Sequence, residues 1–206
     1  MLFARNGVVP QVHPDAVVAA TACIIGNVTL AAGCYIDYGA VIESSGPPVT
    51  LDEGVIVMAN AVVRSLGGPG GRQPASVRIG AECIIGPYAA LAGCEVEEHC
   101  YIATRAVVLQ GARIGRGSRL AVGAIVHAGA NLLPGTRIGL NCIAVPQDHG
   151  VLVTADDKLA GPAIAQADFF RRAFDISERD QETLHRKAAA KLRAEAAAWK
   201  DDRFVS

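Results

Sequence analysis

Aliphatic residues return at every sixth position of this chain. They run Val12, Val18, Ile24, Leu30, Ile36 and Ile42, and resume at Leu51, Val57 and Val63. They continue at Ile79, Ile85 and Leu91 and, after one five-residue step to Val96, again from Ile102 to Ile138. A helix asks for a period of about 3.6 and a half-buried strand for about 2. A period of six kept up over about 130 residues fits neither alone and marks an internal repeat. It predicts a solenoid of short strands in which each hexapeptide makes one side of a coil. Two positions before each aliphatic residue stands a small one, as at Ala16, Ala22, Cys34, Ala40, Ala61, Cys83 and Ala89. These residues also point inward, where there is room only for small groups.

The pattern resembles the hexapeptide-repeat, left-handed parallel β-helix family over residues 8–145. The resemblance implies an all-β solenoid, three hexapeptides per coil, strands of successive coils about 4.8 Å apart, and assembly as a homotrimer. The cysteines fit the same scheme: Cys34, Cys83, Cys100 and Cys142 fall in the small inward slot and are read as space-filling thiols. Cys83 and Cys100 are expected to be neighbours on adjacent coils.

Composition narrows the function classes. Apolar residues make up 51% of 206 residues but aromatics only 5%, so the core is built from small and β-branched side chains. The net charge of −1 gives no electrostatic reason to expect nucleic acid or an anionic membrane as partner. The start "MLFARNGVVPQVHPD" lacks a long apolar stretch, and no apolar run approaches the roughly 18 residues of a membrane span. The expectation is a cytoplasmic protein with reduced cysteines.

Residues 65–78, "SLGGPGGRQPASVR", interrupt the repeat and read as a loop. Their Arg72 is placed to reach a neighbouring site. Beyond residue 145 the repeat fades. Residues 146–206 are read as an irregular connection carrying His149, a short helix at "ADFFRRAF" and a longer helix over 178–200 that packs alongside the solenoid.

Within the hexapeptide group the chain resembles the γ-class carbonic anhydrases. The resemblance rests on the opening "VHPDAVVAATACIIGNVTLAAGCYID", the nine-residue step "IESSGPPVTL", the loop after Val63 and the short step after Leu91. It implies three zinc-binding histidines shared between subunits. Here those positions fall on Arg64, Pro87 and Ala92, and the family's Arg, Asp and Gln positions fall on Glu43, Ser45 and Met58. No metal is therefore expected, zinc included, and no CO2 hydration.

Three function classes remain open. The first is a metal-independent enzyme in the inter-subunit cleft, acting on a small anionic molecule. It would use Glu43, Arg64 and Tyr88 in catalysis, with Arg64 and Arg72 binding the substrate. Glu43 and Arg64 are expected one coil apart on a common corner, within reach of an ion pair. Guanidinium stays protonated, so Arg64 can bind a carboxylate but cannot act as a base. His99, beside Glu95, and His127 are the alternative acid–base groups. The second class is a CoA-dependent acyltransferase with His127 as base; the usual Gly-Asn-Pro-Ala pattern is missing from the tail, and "QDHGV" is its nearest substitute. The third is a non-catalytic scaffold or assembly subunit.

Overall fold

The repeat folds into a left-handed parallel β-solenoid of about eight turns, seen in a computed structural model that describes residues 1–68, 70–178 and 180–205. Three faces run the length of the coil. The first stacks Leu2–Ala4, Cys23–Ile25, Val41–Glu43, Val62–Arg64, Ala90–Ala92, Val107–Val108, Ile125–Val126 and Ile143–Gln147 in parallel register. The second and third faces hold seven strands each. The period of six follows from this geometry: each hexapeptide gives one short strand and one corner, so its aliphatic residue always meets the axis. Ile24, Ile42, Val63, Leu91, Val108 and Val126 are fully buried on the first face. The small slot holds Ala22, Ala40, Ala61, Ala89, Ala106 and Ala124, equally buried.

The "IG" pairs have a packing reason. A Cβ at Gly86 would stand 2.8 Å from the backbone of Ala103 and Thr104 on the next coil. Only glycine lets successive corners stack this closely.

Outward residues differ sharply between faces. On the second face they are polar, among them Thr29, Thr50, Arg78, Glu95, Arg113 and Asn131. On the third they are apolar over most of its length: Val17, Tyr35, Ile56, Ile84 and Tyr101. Tyr38, Tyr88, Val122 and Leu140 extend that apolar surface along the corner leading to the first face, all exposed.

Past the repeat the structure is more regular than the sequence suggests. Instead of an irregular connection, Ile143–Gln147 and Gly150–Thr154 form an antiparallel hairpin that caps one end of the first face. Helix α1 (Asp157–Ala167) follows, N-capped by Asp156, whose side chain accepts from the Lys158 N–H. Gly161-Pro162 reads as a breaker, yet Pro162 lies inside α1. Helix α2 (Phe169–Phe174) and helix α3 (Gln181–Ala197) then lead back toward the start of the chain. There Arg203–Val205 pairs antiparallel with Leu2–Ala4 and covers the other edge of the first face. Phe3 and Phe204 meet edge-to-face at 5.8 Å. The helices share a small apolar cluster of their own, with Phe174, Ile176, Leu184 and Ala188, separate from the solenoid core.

Gly86→Ala is expected to destabilise the fold by about 1–3 kcal/mol through forced separation of two coils. Chemical denaturation checks this, and a neutral effect would show that the coils stack more loosely than described.

Candidate functional site

Register brings one column of residues together. Pairing of Val62–Arg64 with Val41–Glu43 and with Ala90–Ala92 places Glu43, Arg64 and Ala92 on consecutive coils at the corner after the first face. Leu109 and His127 continue the column.

Glu43 is held between two guanidiniums. Its Oε1 lies 3.0 Å from Arg64 Nη2 and its Oε2 3.3 Å from Arg5 Nη1. Arg5 in turn donates from Nε and Nη2 to the two carboxylate oxygens of Asp202, at 2.8 and 2.6 Å. It also caps the Ser44 carbonyl and lies over the Trp199 ring, 5.6 Å from its centroid. On the other side of Arg64 stands Glu195 of α3. Glu195 accepts from the Arg72 backbone N–H at 2.8 Å and from Arg72 Nε and Nη2 at 2.9 and 2.7 Å. Two groups of opposite charges thus meet at this corner, Asp202–Arg5–Glu43–Arg64 and Arg72–Glu195, with no ion pair between Arg64 and Glu195 among the described residues.

The electrostatics follow from this order. Burial works against the Arg5 charge, but Asp202 and then Glu43 outweigh it and raise its pKa. Burial would push the Glu195 carboxyl up; the hydrogen bonds and charge of Arg72, with a contribution from Arg64, hold it below the usual carboxylate value instead. Arg5, Glu195 and Asp202 escaped the sequence reading. Residues 5 and 202 lie at opposite ends of the chain, and nothing in their local sequence signals the pairing.

The other expected site residues are not gathered here within one chain. Pro87 and Tyr88 sit on the corner before the strand Ala90–Ala92, at its far end from Ala92. Four residue steps carry the chain from Tyr88 to Ala92, at most about 13 Å when extended. Tyr88 adopts a left-handed backbone (φ 60°) and is 59% exposed. His99 is exposed on the corner between the second and third faces, while Glu95 points outward beside Arg113 at 3.6 Å, so the two do not pair. His127 is buried beneath α2, against Phe169 at 6.2 Å. Arg72 commits its Nε and Nη2 to Glu195. Cys83 and Cys100 are neighbours as expected, the Cys100 N–H lying 3.3 Å from Cys83 Sγ.

Four buried side-chain polar atoms lack a protein partner among the described residues: Ser45 Oγ, Arg64 Nε, Gln110 Oε1 and His127 Nδ1. All lie on this corner, under the loop and the helical tail. A cleft of 230 Å³ opens at this corner beside Arg5, Gly26, Ser44 and Gly46, and larger ones lie along the other faces. One of 510 Å³ is bounded by Leu132, Leu133, Val151 and Val153; one of 340 Å³ lies between Arg78 and Arg113.

The donor set does not fit a zinc ion at the family's positions. Arg64 offers no lone pair, and the Pro87 and Ala92 side chains have no donor atom. Among the described residues no group of three or more His, Cys, Asp and Glu side chains is placed to hold a metal. No described helix is long and apolar enough to cross a membrane.

This is a hexapeptide-repeat β-solenoid, and its curated relatives are CaiE and γ-class carbonic anhydrase proteins. It is 32% identical to the carnitine operon protein CaiE of Salmonella agona over 127 residues, covering 58% of this chain and 57% of that protein. It is 30% identical to the mitochondrial γ carbonic anhydrase 1 of Arabidopsis thaliana over 112 residues, covering 54% and 41%. The chain therefore spans little more than half the length of the CaiE proteins it matches. Among solved structures, a putative acetyltransferase of Bacillus cereus superposes with a TM-score of 0.50 at 16% identity, over 94% of this chain and 98% of that one, which shows the shared fold. No protein-family model matches the chain.

Glu195→Gln is expected to cost about 3 kcal/mol at neutral pH, since it leaves Arg72 without its partner in a buried pair. Because the folded carboxyl is depressed, its contribution is full above the unfolded value of about 4.3 and is lost as pH falls through the folded one. Denaturant melts at pH 7 and pH 3 should therefore differ less for the variant than for the wild type.

Proposed function

We propose that this protein is a zinc-independent relative of the γ-class carbonic anhydrases that does not hydrate CO2. In this reading the corner corresponding to their metal site has become a structural clamp, and the protein serves as a self-associating assembly subunit. The observation that carries it is Glu43, with both carboxylate oxygens engaged by guanidiniums and only 13% of its side chain exposed. A general base needs a free oxygen within reach of a substrate proton; this one would have to break its ion pairs first. Each charge of the corner is answered by an opposite one, and the pairs fasten the loop and the tail.

The apolar third face supports self-association. A surface carrying Tyr35, Ile84, Tyr88 and Tyr101 is one that a second copy would cover, and a homotrimer, the usual state of such solenoids, would do so on every subunit.

One observation favours a second reading, a metal-independent enzyme for a small carboxylate. Arg64 keeps 28% of its side chain exposed and its Nε has no partner. A ligand reaching this corner from a neighbouring subunit's Tyr88 side would meet a guanidinium able to bind it.

Arg64→Ala separates the two. The clamp reading predicts a loss of about 1–3 kcal/mol from stranding a charged hydrogen-bond partner, with faster proteolysis of residues 181–205. Unchanged stability, with loss of carboxylate-induced thermal stabilisation, would favour the enzyme. For the parent reading, metal analysis of purified protein is expected to return far less than one zinc per chain and background CO2 hydration. Stoichiometric zinc would contradict it.

A further inference from the structure

Of the five histidines, His127 alone is buried, with 5% exposure. It stands at the last coils of the corner column, and α2 is laid over it. Phe169 meets its ring edge-on. Its Nδ1 is buried without a partner, as is Oε1 of Gln110 on the preceding coil. The charged group facing it from α2 is Arg172, whose Nε donates to the Ala167 carbonyl and whose guanidinium lies against Gly129. The carboxylate of Asp168, the N-cap of α2, accepts from the Arg171 N–H. From the loop, the backbone carbonyl of the neutral Gln73 accepts from Gln110 Nε2. His127 forms no ion pair among the described residues.

We propose that His127 is an acid-operated latch: neutral, it lets α2 sit on the solenoid; protonated, it unseats α2 and the tail that follows. A proton on this imidazole places a cation in an apolar seat beside a second cation, with no carboxylate facing it. Burial already holds its pKa down; contact with the Ala128 backbone works the other way, and Arg172 adds to the depression. The folded value thus lies below the unfolded one of about 6.5. Docking is complete above that value and is lost as pH falls through the folded value. The effect spreads because Phe169, Phe170 and Phe174 of α2 share one apolar cluster with Leu184 and Ala188 of α3. When α2 lifts, α3 loses the apolar cluster it shares with α2 and is held by the Glu195–Arg72 pair. Release would bare Arg64 and the edge strand Leu2–Ala4. The inference stands independently of whether that corner is a clamp or a substrate site.

The chain's single tryptophan, Trp199, reports on the tail. Its emission, followed from pH 8 to pH 5, is expected to change in the wild type while circular dichroism shows the solenoid intact. Amide exchange over 169–205, corrected for intrinsic pH dependence, should rise at least tenfold at pH 5.5 relative to pH 7.5. His127→Gln should abolish both changes, and His127→Phe, which keeps the apolar packing, should do the same. A wild-type tail that stays docked to pH 5 would overturn the proposal. So would either folded variant responding to pH as the wild type does.

Discussion

The paired charges along one corner are the interaction on which the finished molecule depends. The solenoid core assembles from its own repeat, but a helical tail of small and basic residues has little apolar surface with which to adhere to it. Charges removed from water are costly unless each meets an opposite charge in good hydrogen-bond geometry. Here Asp202, Arg5, Glu43 and Arg64 pair one to the next, and Arg72 pairs with Glu195, at 2.6–3.3 Å. They come from both chain ends, two coils, the loop and α3. Losing any member strands its neighbours, so the corner specifies one path for the tail.

That constraint also bears on function. The column that carries Glu43, Arg64 and Ala92 is where the γ-class resemblance puts metal chemistry. In the proposed reading, Arg64 and Ala92 stand where two of the expected ligands would be, and Glu43 where an arginine would be. Arg64 supplies charge where an imidazole is expected, Glu43 answers it, and Ala92 leaves the corner low enough for the loop to pass, with Ala75 and Leu66 packed against Gly93. The proposed clamp follows from this pairing, which leaves Glu43 no carboxylate oxygen free of a guanidinium.

Most of the solenoid is legible in the sequence because its cause is local and repeated. Each hexapeptide meets the axis the same way, so Ile85 and Leu91 announce themselves as core. The pairing of Glu43 with Arg64 is legible too, since coil counting puts them on adjacent rungs. What lies outside the repeat is not. Pro162 argues against a helix that nevertheless forms around it. Arg5 and Asp202 meet only because the tail returns to the first strand, and no local pattern encodes a contact across nearly the whole chain. The burial of His127 is not legible in "GAIVHAGAN", because α2, which covers it, comes from a different part of the sequence. Tyr88 and Arg64 look adjacent when the chain is compared with the γ-class scheme, yet one subunit places them at opposite ends of a strand.

The central claim is that these charges act as one unit. A double-mutant cycle between Glu43→Gln and Asp202→Asn tests it most directly, because the two carboxylates do not touch and share only Arg5. Measured by chemical denaturation, the cycle should return a coupling of at least about 0.5 kcal/mol. Effects that simply add would mean that the corner is a set of independent pairs, and the account would be wrong.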